Sequence, residues 1–510
     1  MGEPKTIVFG LDGAHFELLE PWLDSGKLPN VARVIENGVT ADLKSVLPPV
    51  TSPNWKAYLT GKNPGKLGIY WWENIDTEER RVYYPSERKN ANTEFWELID
   101  EKHQAGIIGT PTTYPPKLAE GFVVAGAPDG ENSEYTFPSE IETELDDRFD
   151  YRVSKSHRLN VDRESAIEEI INLIDQRFKA ADYLLSEYDV EFLQVTTFYL
   201  NSLHHFLWDS EHTLAGWQTI DRHLGDYLDK GYNVVLMSDH GSTNIDIAFN
   251  VNSWLESEGY LSLDATTSNL LHQFGITTDR LIALASAFGV QDAAERLTPK
   301  WILNHVPGES GELTRESKTG NVDWDTTDVI ASGQGPVYLT TNPSEPRYEQ
   351  VRTELKDKLE SLTDPAGRSI ANTVYRGEEV YDGAYIDEAP DLVIDQRPGV
   401  HITGGIGRDE IFTDPTEDGW LAENKRSGLF AATGPDFSSG EIEELSILDL
   451  APSFLHLHSC EVPQDMDGEV KRSIFDSDSE ARGRQVRFRE PERQESERKR
   501  IREATQKIDL

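Results

Sequence analysis

The fold this sequence predicts is α/β: a three-layer sandwich with a mostly parallel central sheet, helices on both faces and a helical cap insertion. Three observations predict it. Short apolar runs alternate with helical spacing along most of the 510 residues, as parallel strands joined by crossover helices do. The runs are unbroken rather than alternating, so their strands are buried on both faces. Polar groups able to do chemistry follow several of them directly, where the carboxyl ends of parallel strands open onto a crevice.

Thr6 to Leu11 reads as the first buried strand, and Leu28 to Gly38 as a helix closed by glycine. Gly106 to Gly109 and Gly121 to Gly126 are short apolar segments bounded by glycine. Glu191 to Thr196 and Asn233 to Met237 are further central strands, with helical spacing between them from Leu214 to Lys230. Residues 1–262 are therefore expected to form the first part of the core. Residues 263–320 turn helical and mixed, and read as an inserted helical cap. Residues 321–470 return to strand patterning at Gly335 to Thr340 and supply the second part of the core. Residues 471–510 read as a charged tail, helical or partly disordered, with arginines crowded between Arg482 and Arg502. Such charge patterning fits a solvated peripheral helix, with docking onto the acidic body or a second subunit as the functional alternative.

Composition narrows the function classes. The formal charge is −42, from 49 basic and 91 acidic residues. The acid is scattered through core-patterned segments instead of gathered in blocks. Dispersed acidity suits a salt-in, halophilic cytoplasm, where the Debye length shrinks to about 3 Å near 1 M salt. The same charge argues against nucleic acid as a partner, because a polyanion is repelled. The single cysteine, Cys460, excludes an intrachain disulfide framework. No charged-then-apolar leader precedes the first strand, and no apolar run approaches the ~20 residues of a membrane span.

The strand ends carry the chemistry. Asp12 follows the first strand, Asp239 and His240 follow Asn233 to Met237, and His204 and His205 lie soon after Glu191 to Thr196. An Asp after a strand is often only a helix cap, and Ser238-Asp239-His240-Gly241 read alone is a capped turn. Two carboxylates and an imidazole gathered at parallel strand ends make a cation site that Zn²⁺ or Mn²⁺ accepts. Thr51, in Pro48-Pro49-Val50-Thr51-Ser52-Pro53, precedes a helix that starts near Pro53. A hydroxyl there sits among free backbone N–H groups, which hold phosphate. A nearby cation would depress its pKa and make it a nucleophile; read alone, it is only a helix cap. The Gly61 to Lys66 segment lacks the spacing of a phosphate-binding P-loop.

These residues, in this order, resemble the alkaline phosphatase superfamily, in its type I phosphodiesterase/nucleotide pyrophosphatase and predicted phosphohydrolase/phosphomutase branch. The resemblance runs from about Ile7 to Gly468. It takes in Thr60 to Lys66, Thr113-Tyr114-Pro115-Pro116, Ser238 to Gly241, Asn250 to Leu255, Glu388 to Val393, Asp449 to Pro452 and Asp465 to Gly468. It implies two metal ions flanking a phosphate. Asp12, Thr51, Asp239 and His240 match the first site. The second takes an Asp and a His four residues apart and a late His four residues before a Gly. Here that spacing lands on Asn201, His205 and Asn424, ahead of Gly428. Neutral asparagine oxygens remove one charge and one nitrogen ligand, so affinity for a second ion falls. Trp72 stands where nucleotide pyrophosphatases carry a phosphate-binding Asn.

The resemblance thus implies a metal-dependent hydrolase of phosphate mono- or diesters, acting through a phospho-enzyme at Thr51. One divalent ion, Zn or Mn, is expected at Asp12, Asp239 and His240. Lys425 and Arg426, beside Asn424, are expected to supply charge on the vacated side, with His205 as a ligand there or as proton donor to the leaving group. The substrate is expected to be small and phosphorylated, linked to a sugar or a nucleotide, and oligomerisation would run through the C-terminal tail. The alternatives are a single-metal sulfatase-like hydrolase, a phosphotransferase, or a degenerate member that binds a ligand without turning it over.

Overall fold

The structure, a computed structural model, describes residues 5–263, 322–414 and 419–491. Its centre is a ten-stranded sheet. The first strand, Thr6–Leu11, lies between Phe192–Thr197 and Asn233–Met237 and is parallel to both. Ala105–Ile108 and Phe122–Val124 extend the sheet in parallel on one side, and Thr136–Phe137 closes that edge antiparallel. On the other side Ser427–Thr433 runs antiparallel to Asn233–Met237 and to Val39–Lys44. The central strands are buried at every position, so they read as continuous apolar runs.

Alternate residues of each strand feed opposite layers. Ile7, Phe9, Leu193, Val195, Val234 and Leu236 face the helices Pro29–Asn37, Arg163–Glu187 and Glu211–Asp229. Val8, Phe192, Val235 and Met237 face Thr51–Thr60, Phe95–His103 and Leu450–Leu457. The predicted three-layer α/β architecture is the one observed.

The strand expected at Gly335 to Thr340 forms as Pro336–Leu339 but does not join the central sheet. It pairs with Val329–Ala331 and Leu392–Gln396 in a separate four-stranded sheet. The helix Pro346–Ser361 covers that sheet around its own apolar cluster. Apolar patterning fixes that a strand is buried, not which sheet it enters. Of the expected cap at 263–320, only Leu263 lies within the described residues. Leu263 and Val322 bridge antiparallel.

Residues 471–491 run along the body, while 492–510 lie outside the described residues. Ile474 and Phe475 are buried, and Phe475 stacks on Phe437. Arg484 donates to the carbonyls of His456 and Leu457, and Arg487 to that of Ser459. These arginines meet the exposed carbonyls at the carboxyl end of Leu450–Leu457, where the helix dipole also favours cations. No helix of the described residues is long and apolar enough to cross a membrane. Phe475→Ala should destabilise the fold by about 3 kcal/mol, the cost typical of emptying a buried aromatic site. Denaturant unfolding measures it; an unchanged midpoint would mean the segment adds nothing to the core.

Candidate active site

Four side chains converge where the first strand, Asn233–Met237 and the helix Thr51–Thr60 meet. Thr51 is the first residue of that helix, two positions earlier than the sequence suggested, with extended Val50 before it. Asn54 staples the approach: its Nδ2 donates to the carbonyls of Pro48 and Val50, and its Oδ1 accepts from Val46 N–H. Asp12 leaves the end of the first strand and is followed by Gly13 at φ 71°. Gly13 N–H donates to Asp239 Oδ1 at 3.3 Å. A side chain at Gly13 would collide with the Asn201 amide, which is why glycine follows the aspartate.

The polar atoms face one another closely. His240 Nε2 lies 3.3 Å from Thr51 Oγ1, 3.2 Å from Asp239 Oδ2 and 3.7 Å from Asp12 Oδ1. His240 Nδ1 is 3.0 Å from the Gly241 carbonyl. A carbonyl only accepts, so Nδ1 carries the proton and Nε2 presents a lone pair to the two carboxylates. Asp12 Oδ1 and Asp239 Oδ2 are buried without a hydrogen-bond partner. Ligand atoms of Asp12, Asp239 and His240 lie within 4.8 Å of one another. Lone pairs crowded in this way repel unless a positive centre lies among them. Two carboxylates and a neutral imidazole with open valences fit a divalent cation.

Electrostatics say the same. Burial, and then the neighbouring Asp239, push Asp12 well above the usual carboxylate range. Burial raises Asp239 to about 8 and lowers His240. Without a cation, protons occupy the site.

The second-site positions are also brought together. The Asn201 side chain acts on Asp12, and its Oδ1 lies 3.4 Å from Ser242 Oγ. Asn424 pairs across the strands with that same Ser242, and its Oδ1 is buried without a partner. His205 donates Nδ1–H to the Ala422 carbonyl at 2.7 Å and stacks on Trp420 at 4.1 Å. Burial lowers it to about 4, so it is neutral near pH 7 with its remaining lone pair on Nε2. That state suits a ligand or proton acceptor better than a proton donor. His204 turns elsewhere: its Nε2 accepts from Trp217 and its ring stacks there.

Lys425 lies over Gly241, and its Nζ pairs with Glu17 at 2.7 Å. Neighbours on a strand point to opposite faces, so Lys425 leaves on the side away from Asn424. Arg426 is bound to Asp395 and the Ser45 carbonyl. Trp72 is buried edge-on to Phe198, and Trp71 donates to Gln334.

Sequence reasoning missed the wall beside His205. Glu423 is fully buried, accepts from Gln334 Nε2 and Asn424 N–H, and pairs with His401. Trp420 packs between His205 and His401. No motif links these residues, which meet only because two sheets abut. His15 escaped notice too; it is buried with neither ring nitrogen bonded.

A family model described as type I phosphodiesterase/nucleotide pyrophosphatase matches residues 6–422. The phosphonoacetate hydrolase of Sinorhizobium meliloti, solved with phosphonoformate, has a similar structure with a TM-score of 0.53. It is 15% identical, with 88% of this chain and 94% of that one covered. Human ectonucleotide pyrophosphatase/phosphodiesterase 5 is also 15% identical, at a TM-score of 0.48, with 93% of this chain and 100% of that one covered. Likeness to the phosphonoacetate hydrolase at this identity shows a shared fold. No curated protein matches the sequence.

Ligation requires Asp239 to lose its proton, and its pKa of about 8 makes cation binding release protons at neutral pH. Affinity for Mn²⁺ should therefore rise with pH through about 8, with Asp12, also raised by burial, adding to the slope. Calorimetry in buffers of different ionisation enthalpy reads the released protons; Asp239→Asn should reduce the release and flatten the slope.

Proposed function

The chain belongs to the type I phosphodiesterase/nucleotide pyrophosphatase family, and on that premise we propose that it hydrolyses phosphate mono- or diesters through a phosphothreonine at Thr51. The observation that carries the reading is the Thr51 hydroxyl, 3.3 Å from the lone pair of His240 Nε2, beside two buried carboxylate oxygens without partners. A bound divalent cation, Zn or Mn, would supply Lewis-acid charge that lowers the hydroxyl pKa and offsets charge on the phosphoryl group.

The chain's own groups do the rest. Asp12, Asp239 and His240 hold the cation. Asn54 and the first turn of the helix fix Thr51 for in-line approach. Thr51 gives up its hydroxyl proton to solvent as Oγ bonds to phosphorus, and the ester oxygen departs with the P–O electron pair and takes up a proton from solvent. Water then adds to phosphorus, losing a proton, as the P–Oγ bond breaks, and Oγ leaves with that electron pair and is protonated to the restored hydroxyl. His205, neutral and with Nε2 open, is assigned to accept a proton from that water instead of donating to the leaving group. Lys425, over Gly241 and balanced by Glu17, is assigned as a positive charge near the site, although it leaves its strand on the side away from Asn424. Nothing in this requires a second ion.

The neutral Asn201 and Asn424 favour single-cation chemistry, which keeps a sulfate ester or a phosphoryl acceptor as the second reading. The dispersed acidity supports work in a salt-rich cytoplasm, so assays belong in concentrated KCl. The substrate is assigned as small and phosphorylated, and Trp71, joined to Glu423 through Gln334, is assigned to meet its sugar or base.

With Mn²⁺ present, p-nitrophenyl phosphate or bis-p-nitrophenyl phosphate should be turned over faster than p-nitrophenyl sulfate. Thr51→Ala should cut that turnover by about 10³-fold or more, the scale of losing a nucleophile, while cation binding persists. A variant that still turns over at wild-type rate would reject the phosphothreonine. Lys425→Ala should lower kcat by about tenfold or more at unchanged metal content, the scale of losing one preorganised charge; equal kcat would remove Lys425 from the mechanism.

A further inference from the structure

The helix that begins with Thr51 carries a second group directed at the site. Trp55 follows four residues later in Thr51–Thr60, so both side chains leave one face of the helix. The Trp55 indole is fully buried, and its Nε1–H donates to Asp12 Oδ2 at 2.9 Å. The other carboxylate oxygen, Oδ1, has no partner and faces His240 Nε2 at 3.7 Å. The carboxylate is thereby divided: one oxygen is tied to the nucleophile helix, and the other is left open toward the cation position.

The seat of the indole is built into the first strand. Gly10 lies two residues before Asp12, and a Cβ there would stand 2.7 Å from the far edge of the Trp55 ring and 2.7 Å from Gln194 Nε2. Any side chain at that position would crowd the ring, along with Thr196 and Gln194. The role of Gly10 is space, since its backbone is an ordinary strand.

We propose that Trp55 is a positioning residue for cation binding, which orients Asp12 and sets it in register with Thr51 through one turn of helix. The proposal rests on the cation reading above and goes beyond it. A ligating carboxylate that is free to rotate must be ordered on binding; one held through its second oxygen is ordered beforehand, and such outer hydrogen bonds are typically worth about 10–100-fold in metal affinity. Mounting the donor on the nucleophile helix means that a shift of Thr51 and a rotation of Asp12 are not independent.

A buried indole N–H needs some acceptor, so a purely structural role must be separated from a positioning one. The protein contains its own control. Trp96, also buried, donates Nε1–H to the buried carboxylate of Glu94, outside the Asp12–Asp239–His240 cluster. The full chain, stripped of metal, is titrated with Co²⁺, read both by calorimetry and by its visible absorption bands. Trp55→Phe keeps the ring in place and deletes only the N–H. It should weaken Co²⁺ binding by about 10–100-fold and alter the bands at saturation, with a metal-free melting temperature no lower than that of Trp96→Phe. Trp96→Phe should bind Co²⁺ as the wild type does. Gly10→Ala, which retains the N–H but crowds the ring, should weaken binding in the same direction. Wild-type affinity or unaltered bands in Trp55→Phe overturn the proposal, as does an equal loss in Trp96→Phe. A wild-type protein that binds no divalent cation fails at an earlier and separate step: it removes the hydrolase reading, and this one with it.

Discussion

Two carboxylates, Asp12 and Asp239, are wholly withdrawn from water beside a neutral imidazole, each with one oxygen unbonded. Much of the rest of the molecule follows from that constraint. Desolvating an ionised carboxylate costs several kcal/mol even after relaxation. A protein tolerates two of them side by side only if something positive joins them, and at neutral pH a proton or a cation are the two choices. The central sheet supplies the rigidity. Asp12 and Asp239 stand at the ends of adjacent parallel strands in fixed register, so neither can swing out to water without breaking the sheet.

The surroundings treat the two oxygens of each carboxylate differently. Asp12 Oδ2 is bonded by Trp55 and Asp239 Oδ1 by Gly13 N–H. The outward oxygens are the ones left open. Ser45 holds the Asp239 carbonyl, and Ser242 holds that of Gly13, so the backbone beneath the site is pinned as well. Preorganisation of this kind places the cost in folding, before any ligand arrives.

On the neighbouring side the logic changes. Asn201 and Asn424 are neutral, and His205 is kept uncharged by burial. The acid beside Asn424 and His205, Glu423, is committed to His401, Gln334 and the Asn424 backbone. Among the described residues the one group of three or more carboxylate and imidazole ligands able to hold an ion is that of Asp12, Asp239 and His240. Lys425 leaves its strand on the opposite side from Asn424 and is balanced by Glu17.

The sequence by itself determined the sheet and which residues gather at its edge. Unbroken apolar runs such as Thr6 to Leu11 admit only a doubly covered strand, and parallel strands deliver their following residues to one edge; Asp12, Asp239 and His240 were legible for that reason, and Thr51 from its place at the start of a helix. Tertiary structure alone decided what each of those groups can do. The proton on His240 Nδ1, the indole bond to Asp12 and the commitment of His205 to the Ala422 carbonyl all depend on partners set by the packed fold. The same holds for Pro336–Leu339, whose apolar residues announced a strand but not its sheet. It holds too for Arg484 and Arg487, whose charge announced a surface but not the helix carbonyls they meet. Periodicity records how much of a segment is buried, whereas hydrogen-bond direction and pairing belong to contacts between distant segments, which no local pattern encodes.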